Sequence, residues 1–212
     1  MKCLCQLRPG GLELTAKLLS QCNIKTNSTV LDIGCGRGES LAYIKKQFCC
    51  SCFGIEADQE LFAKAAKDNP DLNFYNARAE QLPFGDAFFD CILLECVISL
   101  FDQPKETLTE ISRVLKQGGA LLISDVYARS DMIVPKGEGM LRNLYTQDHY
   151  ISILESCGYK VISFEYQSDC MKQMLGQMIF DLGVEAAYQS LGLDVCSLKQ
   201  AAIGYALIVA GK

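Results

Sequence analysis
A carboxylate just before a glycine turn, and a second carboxylate one strand later, are the features of this chain that suggest chemistry. Val30 to Glu39 reads VLDIGCGRGE: a short apolar run carrying Asp32, a turn of Gly34, Gly36 and Gly38, then a helical pattern. A strand that enters a helix through a turn with so few side chains lets a ligand approach the backbone and the helix start closely. The GxGxxG form of such a turn holds a pyrophosphate. Here the spacing is GxGxG, and Glu39 takes the place of a later glycine. Its charge repels a pyrophosphate, which favours a ligand without phosphates. Phe53-Gly54-Ile55-Glu56 reads as a second short strand ending in an acid, about 20 residues past the turn. A carboxylate at that spacing can accept hydrogen bonds from both ribose hydroxyls. The turn alone also reads as a tight strand–helix connection, and Glu56 alone as a solvated loop acid. Together they point to a nucleoside.

With these motifs in this order, the chain resembles the class I S-adenosylmethionine-dependent methyltransferases, and most closely their small-molecule branch, typified by the quinone-biosynthesis enzymes. LDIGCGRG is similar to the family's first motif and GIEAD to its ribose motif. ARAEQLPF at 77–84, followed by FFDCILLE at 88–95, is similar to the adenine motif and fourth strand. EISRVLKQGGALLISD at 110–125 is similar to the next helix, turn and fifth strand. The resemblance covers about residues 29–125 well and the rest loosely.

The resemblance implies S-adenosyl-L-methionine as cofactor and S-adenosyl-L-homocysteine as product. Gly34, Cys35, Gly36 and Gly38 would hold the methionine portion, with backbone N–H groups facing its carboxylate. Asp32 would orient the turn or contact the amine. Glu56, with Ala57, would bind the ribose. Arg78, Ala79 and Glu80 would lie at the adenine, and Glu95 at the cofactor amine. The family usually reads Gly-Asp-Ala-Glu where this chain has Ala77-Arg78-Ala79-Glu80. Arg78 has donors and no acceptor, so it cannot accept a bond from the adenine amine. Backbone from Ala79 and Glu80 can still read the base, while Arg78 stacks on it or faces solvent.

These residues need a frame that brings strand ends together. Strands are expected at 29–33, 52–56, 73–76, 90–95, 120–125, 160–166 and 203–209. Helical patterns fall at 11–22, 40–48, 59–67, 105–115 and 146–156. Strand–helix alternation predicts an α/β fold, with a mostly parallel sheet and helices on both faces. The runs CILL and ALLI suit strands buried on both sides. The resemblance implies a Rossmann-like sheet of seven strands whose last strand is antiparallel. One methyltransferase domain is expected over 1–212, with an N-terminal helical segment at 1–28 and a helical insertion at 168–202. The insertion carries Met171, Met174 and Met178, an adaptable apolar face that could cover a substrate pocket or pack on the sheet.

In open α/β sheets the ligand sits beyond the carboxyl ends of the strands. Glu95, Cys96 and Asp125 are the catalytic candidates there, and Tyr127 and Arg129 the acceptor-binding ones. The lone His149 opens a helix and suits a surface or capping role. Twelve cysteines, in a chain read as cytoplasmic, suit reduced core thiols better than disulfides or metal ligands, so no metal is expected. The net charge of −5 argues against a nucleic-acid partner, and no apolar run is long enough to span a membrane. The reading is methyl transfer to a small-molecule acceptor. Its alternatives are a cofactor-binding regulatory or scaffold protein without transfer activity, and an NAD-dependent oxidoreductase, which the glycine spacing disfavours.

Overall fold
The computed structural model describes residues 8–129, 143–190 and 203–212. Its centre is β1 (Thr29–Ile33), where Val30, Leu31 and Ile33 leave almost no surface for water. β1 pairs in parallel with β2 (Ser51–Glu56) on one side and with β4 (Phe89–Glu95) on the other. β3 (Asn73–Asn76) extends the sheet beyond β2, and β5 (Leu115–Ala128) extends it beyond β4, both in parallel. β7 (Ile203–Gly211) lies antiparallel between β5 and β6 (Lys160–Tyr166). The order is β3-β2-β1-β4-β5-β7-β6. The chain leaves β1 towards β2 and later returns to β4 on β1's other side. This reversal opens a crevice at the carboxyl ends of β1 and β4.

Helices cover both faces. α1 (Gly11–Leu19), α2 (Glu39–Phe48) and α6 (Ser168–Leu182) bury Leu14, Leu18, Leu41, Ile44, Met171 and Met178 on one face. α4 (Pro104–Val114) and α5 (Gln147–Ser156) bury Leu108, Ile111, Tyr150 and Leu154 on the other. α3 (Gln59–Asp68) connects β2 to β3, and its N-cap Asp58 accepts from the N–H groups of Glu60 and Leu61. α7 (Val184–Ser190) follows α6. Among the described residues, no helix is long and apolar enough to cross a membrane.

Two elements depart from the sequence expectation by three residues or more. α1 ends at Leu19, short of Cys22. β5 runs from Leu115 to Ala128, past 120–125 at both ends: Leu115 pairs with Phe89 of β4, and β7 pairs along it from Ala120↔Gly211 to Ala128↔Ile203. Tyr127, an acceptor-binding candidate, is therefore a sheet residue. The apolar residues of the insertion divide between its faces: Met171 and Met178 enter the core, while Phe180 is 87% exposed. The remainder of that insertion (191–202) and most of the polar segment after β5 (130–142) lie outside the described residues.

Candidate active site
The crevice holds a cavity of about 560 Å³, reached by the glycine turn and by the ends of β1, β2 and β4. Gly34, Gly36 and Gly38 all have positive φ, at 71°, 54° and 79°. At Gly36 a Cβ would meet nothing within 4 Å, so its missing side chain is cavity space. Local hydrogen bonds hold the turn. The N–H groups of Gly34 and Cys35 donate to Ile55 O (2.8 and 3.0 Å), and Gly38 N donates to Cys35 O (2.8 Å).

Glu56 ends β2 with both carboxylate oxygens anchored: Oε2 accepts from Gly36 N and Oε1 from Asp58 N, each at 2.9 Å. Asn76, at the end of β3, donates to the carbonyls of Glu56 and Ala57 (2.8 and 3.2 Å). The ribose candidate is thus fixed in orientation, with acceptor capacity left over on each oxygen.

Asp32 and Glu95 stand at the other end of the cavity, since β1 and β4 lie on the far side of the turn from β3. Asp32 is 3% exposed, and its carboxylate receives no hydrogen bond from a described residue. Burial, then the charge of Glu95, pushes its pKa well above the ordinary value, while Arg8 works the other way. A buried acid on a cavity wall without a donor suits a cationic ligand group. Glu95, by contrast, is surrounded. Thr15 Oγ1 of α1 donates to its Oε1 at 2.7 Å, and Ser40 Oγ of α2 and Arg8 Nη1 both donate to its Oε2. Arg8 also pairs with Ser40. Burial disfavours the Arg8 charge, but Glu95 and Asp32 outweigh this and raise its pKa.

Cys96 follows Glu95 at φ 57° and lines the same cavity. Its Sγ lies 3.2 Å from the Tyr205 hydroxyl, which donates to Ser124 Oγ at 3.0 Å. Burial, then the charge of Asp125, pushes the Cys96 thiol up, so at neutral pH it is a neutral wall and not a thiolate. Cys35 is likewise pushed up by burial and by Asp32.

At the adenine end, Ala77, Arg78, Ala79 and Glu80 line the cavity. Arg78 turns to the rim: its side chain is 66% exposed and pairs with Glu80 (3.0 Å) and Asp102 (3.8 Å). The loop is braced from α4. Arg113 donates to Phe84 O (2.9 Å), Leu82 O (3.3 Å) and Asp86 (2.7 Å), and Glu110 accepts from Leu82 N at 2.8 Å.

Three residues read as site residues are placed elsewhere. Asp125 is buried off the cavity, where its carboxylate accepts from Ser99 N (3.1 Å) and Val126 N (2.8 Å) and so ties down the 3₁₀ turn Ile98–Leu100. Burial pushes its pKa up to about 6, against those two bonds. Tyr127 packs edge-on to Phe164 and against Tyr166, each at 5.6 Å, in space that a Cβ on Gly204 would fill. Arg129 is exposed and borders a second cavity of about 250 Å³ with Tyr127, Thr146 and Tyr166. His149 donates its backbone N–H to the Thr146 cap and stacks on Tyr145.

Sequence reasoning missed Arg8, Ser40 and Arg113. Thr15 is a further residue with no role in the sequence reading. Thr15 did leave a signal: a polar residue in phase with Leu18 and Leu19 on a buried helix face. Nothing in the local sequence around Arg8 marks it.

A family model described as a methyltransferase domain matches residues 31–123. An uncharacterised protein of Haemophilus influenzae is 31% identical over 129 residues, covering 57% of this chain and 51% of its own length. The chain thus spans about half of that relative. The methyltransferase GfsG of Streptomyces halstedii is 27% identical over 97% of this chain and 82% of its own. Among solved structures, a geranyl diphosphate C-methyltransferase from Streptomyces coelicolor, in complex with Mg2+, geranyl diphosphate and S-adenosyl-L-homocysteine, superposes with a TM-score of 0.79. It is 14% identical and covers 93% of this chain and 78% of that one, a likeness of fold alone. With the match spanning the glycine turn, Glu56 and the fourth and fifth strands, the chain carries a methyltransferase domain over residues 31–123.

Proposed function
We propose that this methyltransferase takes its methyl group from S-adenosylmethionine and passes it to a small-molecule acceptor in the cavity between β1, β2 and β4. The observation that carries the reading is the pair of acids at opposite ends of one glycine turn. Glu56 is anchored by two backbone N–H groups and faces the ribose position. Asp32 is buried with no donor among the described residues and faces the amine position. The open space at Gly36 lies between them. Ala79 and Glu80 line the adenine end. Glu39 at the start of α2 opposes a pyrophosphate, which weighs against NAD.

When bound, the cofactor supplies a methyl group already activated on a sulfonium centre. What remains for the chain is to orient the acceptor in line and to exclude water. Glu95, held by three donors, acts as a positioning residue that joins α1, α2 and β4. The neutral Cys96 forms an apolar wall. A general base is needed only where the acceptor loses a proton. The lack of a nucleic-acid partner belongs to the same reading and rests on the net charge of −5.

The test is turnover. Purified protein is incubated with methyl-labelled S-adenosylmethionine and a panel of small hydroxyl, amine, thiol and carbon acceptors. The reading expects S-adenosylhomocysteine above the background without acceptor, with label in one acceptor class. Tight cofactor binding without product on any acceptor would favour the regulatory alternative.

A further inference from the structure
The cofactor reading leaves one charge without a receptor. The methionine end of S-adenosylmethionine carries a carboxylate, and the glycine turn is the expected place for it. In this fold four of the five N–H groups between Gly34 and Gly38 are already in use: Gly34 and Cys35 bond Ile55 O, Gly36 bonds Glu56, and Gly38 bonds Cys35 O. The first turn of α2 carries Glu39, whose charge opposes a second anion there. Arg8 stands at the same end of the cavity as Asp32 and Glu95 and lines it. Its guanidinium has five N–H donors in a fixed plane, yet among the described residues only Nη1 is bonded, to Ser40 and Glu95. Nε and Nη2 donate to no described residue. The side chain is 19% exposed, so the unused edge is sheltered without being sealed.

We propose that Arg8 is the receptor for the cofactor's carboxylate, held in place by Glu95 and Ser40 while its free edge offers paired donors. The proposal rests on the cofactor reading above and deepens it. It completes the charge pattern of the cavity's far end. The ligand ammonium faces Asp32, the ligand carboxylate faces Arg8, and Glu95 neutralises Arg8 on its other side. It also gives the polar knot of Thr15, Ser40 and Glu95 a purpose, because those hydroxyls fix the carboxylate that aims the guanidinium. Planar, charge-assisted pairs of this kind rank among the stronger polar contacts.

The experiment measures binding, not turnover. Wild type, Arg8→Ala and Arg8→Gln are titrated calorimetrically with S-adenosylhomocysteine and with the same compound lacking its carboxylate. Wild type should prefer the full ligand by about tenfold to a hundredfold. Both variants should lose that preference, their affinity for the carboxylate-free compound staying near the wild-type value. A preference that survives in a folded variant would overturn the proposal. So would an equal loss for both ligands, which marks a purely structural Arg8, or an equal gain, which marks a residue that blocks the site. Should wild type bind neither compound, the cofactor reading itself falls, a result distinct from all of these. Arg8→Gln preserves most of the side-chain bulk, so the comparison survives if Arg8→Ala fails to fold.

Discussion

The two halves of the sheet follow one positional rule and use it differently. In β1, β2 and β4 the acids near the strand ends, Asp32, Glu56 and Glu95, reach a common cavity. In β5 and β7 the polar residues near the same edge turn to internal work: Asp125 holds a 3₁₀ turn, Tyr127 packs in the space Gly204 leaves, and Tyr205 bridges Ser124 and Cys96. The difference lies in the path the backbone takes beyond each strand. After β1 the chain enters a glycine turn that leaves open space, and β2 and β4 open onto that same space. β5 instead continues to Ala128 under cover of β7, so its terminal side chains are enclosed. Position at a strand end selects site residues only where the neighbouring backbone leaves room for a ligand.

Substitutions can break this contrast, and the largest effect is expected at Gly36. Gly36→Val fills the open space and forces a β-branched residue to φ 54°, where the backbone cost is roughly 1–2 kcal/mol. Binding of S-adenosylhomocysteine should fall by at least about a hundredfold, since the cavity is blocked, while the fold melts only a few degrees lower. Wild-type affinity in the folded variant would place the ligand elsewhere.

The second prediction lies in the other half and concerns stability. Asp125 has a folded-state pKa of about 6 against an ordinary 3.8. A raised carboxyl pKa stabilises the fold fully below about pH 4, and that contribution is lost as pH rises through 6. Measured against Asp125→Asn, wild type should therefore gain stability between pH 7 and pH 4, by at most about 3 kcal/mol. Cofactor affinity should hardly change. A stability difference independent of pH would refute this account of Asp125, and a large loss of affinity would return it to the site.

Glu56→Ala should weaken cofactor binding by roughly 1–3 kcal/mol, because ribose bonds are lost and the N–H groups of Gly36 and Asp58 lose their acceptor. Unchanged calorimetric affinity would exclude Glu56 from the ribose site. The smallest effect is expected at Arg129. Its replacement by Ala should leave cofactor affinity within about twofold, the range expected of an exposed surface change. Should acceptor turnover drop while cofactor affinity holds, the acceptor would extend to the second cavity beside Tyr127 and Arg129.

Much of the cofactor half was legible from the sequence because its signals are local. A glycine turn after a strand, and an acid at ribose spacing, are set by short stretches of chain. The sheet was legible for the same reason: buried strands are apolar runs, and all seven fall close to where periodicity places them. Arg8 was not legible, since its role depends on Glu95 and Ser40, which are distant in sequence and meet only in the folded chain. Asp125 and Tyr127 misled because an enclosed strand end and an open one read alike. Arg78 sat in a motif that normally carries an acceptor, and only the fold shows it turned to Glu80 at the rim.

The central claim is that the crevice between β2 and β4 binds a sulfonium nucleoside and not a dinucleotide. Calorimetric titration of the purified chain with S-adenosylmethionine, S-adenosylhomocysteine and NAD tests it directly. The account predicts saturable binding of both sulfur nucleosides at one site and no response to NAD. Binding of NAD, with no heat from either sulfur nucleoside, would contradict it.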